Sequence, residues 1–308
     1  MLQITIMNNT IEIVEVSPRD GIQNEKKILS TEAKLSLIAR SVAAGAPRIE
    51  VTSFVNPKLV PQMADADALA EQLPKDNKAS YIGLALNKRG YQRICSAGLD
   101  EANIVVSDSD TFGSKNQGAD TDGTIRNFAE IMDHASANLK TGVTITTAFG
   151  CPFDGEVPLP RLLDVVTRCM ETQPFEIAIA DTIGVATPSD VTERVDAIRQ
   201  LYPDVPLRLH FHNTRNTGIA NAWAAVQAGA TTLDSSFGGV GGCPFAPKAT
   251  GNIATEDLLY LLHQSGVETA MSLELSIETA LWLEQELGKT VPGMVMKAGG
   301  FPASGARQ

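Results

Sequence analysis

The sequence predicts a closed (β/α)8 TIM barrel, and three observations carry that prediction. Short β-branched runs alternate eight times with longer, more polar stretches of helical spacing. All of them fall between Ile11 and His263, close to the roughly 250 residues of a common barrel. No strand-to-helix turn carries the G-x-G-x-x-G phosphate loop of the rival architecture, an open doubly wound sheet. Strands separated by helices pair in parallel through right-handed crossovers, and eight such units close on themselves.

Taken in order, the first strand is expected at Ile11–Val16, and the helix Thr31–Ala44 follows, opened by a Ser/Thr cap ahead of Glu32. Arg48–Phe54 leads to Met63–Leu73, Ala79–Leu86 to Lys88–Ala97, and Glu101–Ser107 to Asp122–Leu139. Gly142–Phe149 precedes Leu159–Glu171, and Phe175–Asp181 precedes Pro188–Leu201. Leu207–His212 then pairs with Gly218–Ala228, and Thr231–Phe237 with Thr255–His263, again opened by Thr before acidic residues. Beyond the eighth unit lie a helical stretch, Leu273–Leu287, and a Gly/Pro-rich tail, Gly299–Gln308. We expect one barrel domain over residues 1–308, with 265–308 as a C-terminal helical extension and tail.

Composition narrows the function. The 308 residues are 43% hydrophobic and 20% charged, which excludes disordered and collagen-like chains. A net charge of −11 repels polyphosphate and anionic headgroups, so neither nucleic acid nor a membrane surface is an expected partner. The four cysteines, Cys95, Cys151, Cys169 and Cys243, form no Cys-x-x-Cys pair, which argues against a thiolate zinc site and against a disulfide scaffold. The N-terminal residues lack a basic region followed by an apolar run, and no stretch reaches about 18 apolar residues, so a cytoplasmic setting is expected.

A barrel builds its active site from strand C-termini and the loops after them. His210 and His212 are two apart in a strand and project to one side, while Leu209 and Phe211 face the helices. The pair reads either as half of a metal site or as polar residues satisfied inside the barrel. Asp20 and Asn252 at other strand ends favour the former, because mixed N and O ligands with open positions suit Mg²⁺ or Mn²⁺. Arg19 beside Asp20 reads as an ion pair in a surface turn, or as a guanidinium that holds a developing enolate oxygen while the carboxylate takes the cation. Glu50 and Ser53 on the second strand, Gln23 after the first and Thr182 after the sixth complete the candidate set, with Gln23, Ser53 and Thr182 as substrate contacts. Gly238, Gly239, Gly241 and Gly242 precede Cys243, and this run reads as a flexible loop or as a lid that delivers a thiol. Cys95 and Cys169, in helical stretches, are expected to pack in the core, whereas Cys151 could approach the site by position alone.

These segments resemble the 3-hydroxy-3-methylglutaryl-CoA lyase family of barrel metallolyases. The likeness runs from Val14 to about His263 and is carried by Pro18-Arg19-Asp20-Gly21-Ile22-Gln23-Asn24-Glu25, Thr52-Ser53-Phe54-Val55-Asn56-Pro57-Lys58, Asp181-Thr182-Ile183-Gly184-Val185, Gly238 to Cys243, and Gly251 to Asp257. The resemblance implies that Asp20, His210, His212 and Asn252 ligate a divalent cation, Mg²⁺ or Mn²⁺. It also implies that Arg19 stabilises enolate charge, Glu50 supports the site and Cys243 is the catalytic lid thiol. The implied reaction is retro-Claisen cleavage of a 3-hydroxy-3-substituted acyl-CoA to acetyl-CoA and a keto acid, associated with leucine degradation; a homodimer is an open option.

Two positions depart from the family pattern. His210-Phe211-His212-Asn213-Thr214-Arg215-Asn216 replaces His-Cys-His-Asp-Thr, and Ala178 stands where a Ser is expected. Both favour an alternative substrate, citramalyl-CoA or a longer branched 3-hydroxyglutaryl-CoA. A condensing synthase of the same group and a non-catalytic CoA-ester or metal-binding protein are the other readings, the last opposed by Cys243.

Overall fold

The computed structural model describes residues 10–76, 78–242 and 251–301. Eight strands close a parallel barrel in sequence order: β1 (Glu12–Glu15), β2 (Arg48–Ser53), β3 (Ser80–Ala85), β4 (Glu101–Ser107), β5 (Lys140–Thr146), β6 (Ile177–Asp181), β7 (Leu207–Phe211) and β8 (Thr232–Ser235). Closure comes from β1 pairing with β8 over Glu12↔Thr232 to Glu15↔Ser235. The helices are α1 (Thr31–Ala43), α2 (Ala66–Glu71), α3 (Lys88–Ala97), α4 (Asp110–Gln117), α5 (Thr121–Met132), α6 (Leu159–Met170), α7 (Pro188–Leu201), α8 (Gly218–Gln227), α9 (Thr255–Gln264), α10 (Leu273–Leu287) and a last turn, α11 (Val295–Ala298).

Period two sorts the strands into an apolar outer face and a largely polar inner one. Ile49, Val51, Ile104, Val106, Ile145, Ile177, Ile179, Leu207, Leu209 and Phe211 pack outward into the main core with the helices. Inside, a small cluster of Val14, Val16 and Ile82 sits beside charged side chains. Arg48 bonds Glu101 and Glu176, at 2.5 and 2.7 Å, and reaches Glu12 at 3.1 Å; Arg208 lies 3.7 Å from Glu176 and bonds Asp234. Buried charges of both signs thus fill the lower barrel, each with a partner, as burial requires.

The structure corrects several boundaries. A helix absent from the sequence reading, α4, follows β4: it is short and carries Gly113, but the Ser109 side chain caps it by accepting from the Phe112 N–H. Helix α5 stops at Met132, and α2 begins at Ala66 after a separate 3-10 turn, Pro61–Met63. Strand β6 starts at Ile177, leaving Phe175 partly exposed beside the Arg48 and Lys140 cations. Cys95 is exposed rather than in the core, because α3 buries Gly90, Tyr91 and Ile94 and the next residue turns about 100° away. Cys169 is fully buried, and its burial pushes the thiol up to about 12.

One irregularity bears directly on the site. The β2–β3 register shifts between Glu50 and Thr52. Val51 joins the outer core and the Thr52 hydroxyl meets outer-core Met63, so both face the helices, and Ser53 turns inward beside Glu50's side of the sheet.

Candidate active site

At the top of β1 the chain winds through one π-helical turn, Ser17–Gly21, with Pro18 in its first positions. That turn places Arg19 and Asp20 side by side over the barrel mouth, Arg19 Nη1 donating to Asp20 Oδ1 at 2.6 Å. Arg19 Nε also donates to Glu50 Oε2 at 2.8 Å. Glu50 is fully buried and its other oxygen accepts from Asn103 Nδ2 at 3.0 Å, while Asn103 Oδ1 accepts from Thr144 Oγ1 at 2.8 Å. The guanidinium is therefore held from behind by a chain crossing β2, β4 and β5.

From β7, His210 and His212 point to the same mouth with ring centroids 5.1 Å apart. Each Nε2 lies 3.9 Å from Asp20 Oδ2. One ligand atom each from Asp20, His210 and His212 fall within 4.8 Å of one another, a spacing that one cation can bridge. Asn252 is paired to His212 by an isolated bridge. Its Nδ2 donates to Asp20 Oδ2 at 2.9 Å and to the Val240 carbonyl at 3.1 Å, and its Oδ1 is buried with no partner. Two imidazoles and a carboxylate so placed form a donor set that fits a divalent cation, and the Asn252 amide, with its oxygen left unsatisfied, adjoins it.

Charge and burial act against each other here. Burial pushes the Asp20 carboxyl up, but Arg19, the two imidazoles and the Asn252 amide outweigh it and hold the group well below the usual carboxylate range. Burial lowers both histidines; the Asp234 hydrogen bond and the Asp20 charge reverse that for His210, which is raised, whereas His212 drops to about 4.

These groups open into a cavity of about 1570 Å³, lined deep down by Arg19, Asp20, Gln23, Asn103, His210 and His212, with Lys58, Arg89, Arg93 and Lys115 at its rim. Asp67, also in the lining, pairs with Arg93 at 2.8 Å, and Lys58, Arg89 and Lys115 give the rim its excess of positive charge although the chain carries −11 overall. Gln23 and Thr182 line the cavity, the latter accepting from the Thr147 N–H at 2.8 Å. Ser53 does not line it: buried behind Gln23, its hydroxyl donates to Gln23 Oε1 at 3.1 Å. Cys243 lies outside the described residues. Cys151 does not line the cavity; it packs behind the cavity-lining Phe112, its Sγ buried 3.0 Å from Ser109 Oγ.

The glycine run before Cys243 is a packed collar as far as Gly241. Gly238, Gly239 and Gly241 have positive φ, and a Cβ at Gly241 would stand 2.5 Å from Asn252 Nδ2. Neither family departure reaches the cavity either. Ala178 is buried and does not itself line the cavity, although its register partner Thr144 and the next inward residue, Ala180, do. Arg215 donates to the Ile183 and Gly184 carbonyls of the β6 loop.

Asp234, Asn103 and Thr144 escaped the sequence reading. Asp234 is level with His210 on the neighbouring strand, and period two from Thr232 turns it inward, but Asp-Ser-Ser at a strand end reads equally well as a turn.

The comparisons agree with this geometry. A family model described as HMGL-like matches residues 10–280. The chain is 42% identical over 300 residues to the (R)-citramalyl-CoA lyase of Chloroflexus aurantiacus, covering 94% of this chain and 95% of that protein. It is 37% identical over 283 residues to a hydroxymethylglutaryl-CoA lyase of Bacillus subtilis, covering 92% and 95%. The structure of an HMG-CoA lyase from Acinetobacter baumannii, in complex with coenzyme A and 3-methylmalate, matches with a TM-score of 0.92 at 35% identity over 96% of each chain. With its barrel mouth and most of its length matched in this way, the chain belongs to the HMGL-like family and is a carbon–carbon lyase.

Proposed function

We propose that this protein is a divalent-cation-dependent lyase that splits a 3-hydroxy-3-methyl acyl-CoA thioester into acetyl-CoA and a keto acid. The observation that carries the reading is the convergence of Asp20, His210 and His212 within 4.8 Å, directly beside an Arg19 whose guanidinium lines the same cavity. Asp20, His210, His212 and Asn252 would hold the cation, Mg²⁺ or Mn²⁺. When bound, it orients the tertiary hydroxyl and lowers its pKa.

The chain's own groups do the rest. A base, one of the β7 imidazoles, the Asp20 carboxylate or a water, takes the hydroxyl proton; the C2–C3 bond then breaks, C3 becomes a ketone and the electron pair passes to C2 and the thioester carbonyl. Arg19, clamped by Glu50 and Asp20, meets the enolate oxygen with a fixed cation that needs no reorganisation. Gln23, seated on Ser53, and Thr182 contact the acyl group. Cys243, one residue past Gly242, is assigned from its place in the sequence to return a proton to C2. The cationic rim suits the phosphates of the CoA portion.

Two acyl groups fit this chemistry, 3-hydroxy-3-methylglutaryl and citramalyl, and the relative at 42% identity favours the second. The test is acetyl-CoA release from both thioesters with Mg²⁺ or Mn²⁺, with and without chelator, the keto acid being identified in each case. Cleavage that is lost with chelator and restored by the cation is expected. Turnover that persists in chelator, or no acetyl-CoA from either thioester, overturns the proposal. Among the described residues no helix is long and apolar enough to cross a membrane, and Cys95, Cys151 and Cys169 are free thiols, which supports a cytoplasmic setting.

A further inference from the structure

The two imidazoles of the β7 pair share one mouth but not one environment. His210 Nδ1 lies 2.9 Å from Asp234 Oδ2. The other oxygen of Asp234 is bonded by Arg208 Nε, and Arg208 leans on Glu176, which Arg48 also holds. His212 Nδ1, by contrast, is buried with no partner. We propose that Asp234 is a positioning residue that locks His210 in the Nδ1–H tautomer, making it the pre-oriented ligand of the cation site and leaving His212 the adjustable one. The inference rests on the cation reading of Asp20, His210, His212 and Asn252 given above.

The physical argument is one of acceptors and donors. A carboxylate only accepts, so Nδ1 must donate to it, and a neutral imidazole that donates from Nδ1 carries its lone pair on Nε2, the atom that faces Asp20. Asp234 cannot turn away without breaking the Arg208 bond in the barrel interior, where both side chains are almost wholly buried. An ion pair with Arg208 alone would have left the second oxygen free to point elsewhere; here it is spent on His210. His212 has no such restraint, and both of its neutral tautomers are open to it. Carboxylates behind metal-bound histidines typically change affinity about 10–100-fold when removed.

The experiment has two arms. In the first, Mn²⁺ binding by the full chain without substrate is measured by EPR for wild type, Asp234→Asn and Arg208→Met. Asparagine offers an N–H as well as an oxygen, so Nδ1 need no longer donate. Mn²⁺ affinity is expected to fall about 10–100-fold in Asp234→Asn and less in Arg208→Met, which keeps the direct contact. The second arm needs no variant that must fold. The chain has four histidines, and long-range ¹H–¹⁵N correlation of the metal-free wild type at mildly alkaline pH should show His210 with its proton on Nδ1. An Nε2–H tautomer at His210, or wild-type Mn²⁺ affinity in a folded Asp234→Asn, overturns the positioning role while leaving the cation reading intact. A wild-type protein that binds no Mn²⁺ overturns the cation reading and, with it, His210's part as a ligand.

Discussion

Arg19 illustrates how a single side chain acquires a role from what stands behind it. Its neighbour Asp20 is one residue away, but Glu50, which takes its Nε bond, is thirty-one residues along the chain. On the proposed chemistry the held charge meets an enolate oxygen whose charge develops as the bond breaks, so Arg19→Met should lower kcat by about 10²–10³-fold while KM moves far less. A thermal melt should also drop, since Glu50 loses its cation; a change confined to KM in steady-state kinetics would make Arg19 a ground-state binder. The proposed reaction separates two of the cysteines. Cys243→Ser is expected to lose most turnover at unchanged Tm, serine being a far weaker proton donor than a thiol. Cys95→Ser, on the exposed side of α3, should leave turnover unchanged and stability within about 0.5 kcal/mol. Paired kinetics and melts on the two variants check both statements.

Among the elements, the strand-end segments do most to shape the site. The shifted register in β2 turns two successive residues outward and brings Ser53 round to support Gln23, a result that strict alternation from Glu50 would reverse. The collar from Gly238 to Gly241 wraps Asn252 so closely that a methyl group at Gly241 has no room. Gly241→Ala should therefore displace the Asn252 amide, with activity falling out of proportion to Tm. Gly229→Ala is the control: its φ of +92 makes it pay backbone strain of about 1–3 kcal/mol, but nothing lies within 4 Å, so Tm should fall with kcat/KM preserved. Equal losses of activity per degree of Tm in the two variants would mean that the collar contributes only stability.

At the scale of the whole molecule, two carboxyls bind the collar to the barrel wall. Glu15 accepts from the Ser17 and Phe237 N–H groups and from Thr255 Oγ1, and Glu256 accepts from the Gly238 N–H. Burial pushes Glu15 up to about 7 and Glu256 up to about 8. Both groups hold protons in the folded state that the unfolded chain releases near its ordinary 4.5. Their contribution to stability is complete below that value and is lost as pH rises through about 7 to 8. The contribution of these two groups to wild-type Tm should thus decline from about pH 4.5 and level off above about pH 8, and Glu256→Gln, which cannot ionise, should remove part of the decline. Parallel curves for the two proteins in calorimetry would refute the buried, protonated Glu256.

What the sequence by itself determined is whatever a few neighbouring residues encode. The period-two runs and the helical stretches specify eight βα units, and two histidines at i and i+2 must share a face. Arg19-Asp20 just past a strand must sit at the barrel mouth. Tertiary structure alone decided which distant residues meet. Closure through β1 and β8 and the register of β7 on β8 bring Asp234 level with His210, and the β2 shift sets Ser53. Cap chemistry made α4 from a stretch with no hydrophobic period, and the phase of α3 against the barrel exposed Cys95. The physical reason is that propensity and periodicity act over a turn or a pleat, whereas the partner of a buried charge is chosen by strand register, and register is a property of the closed sheet rather than of any one strand.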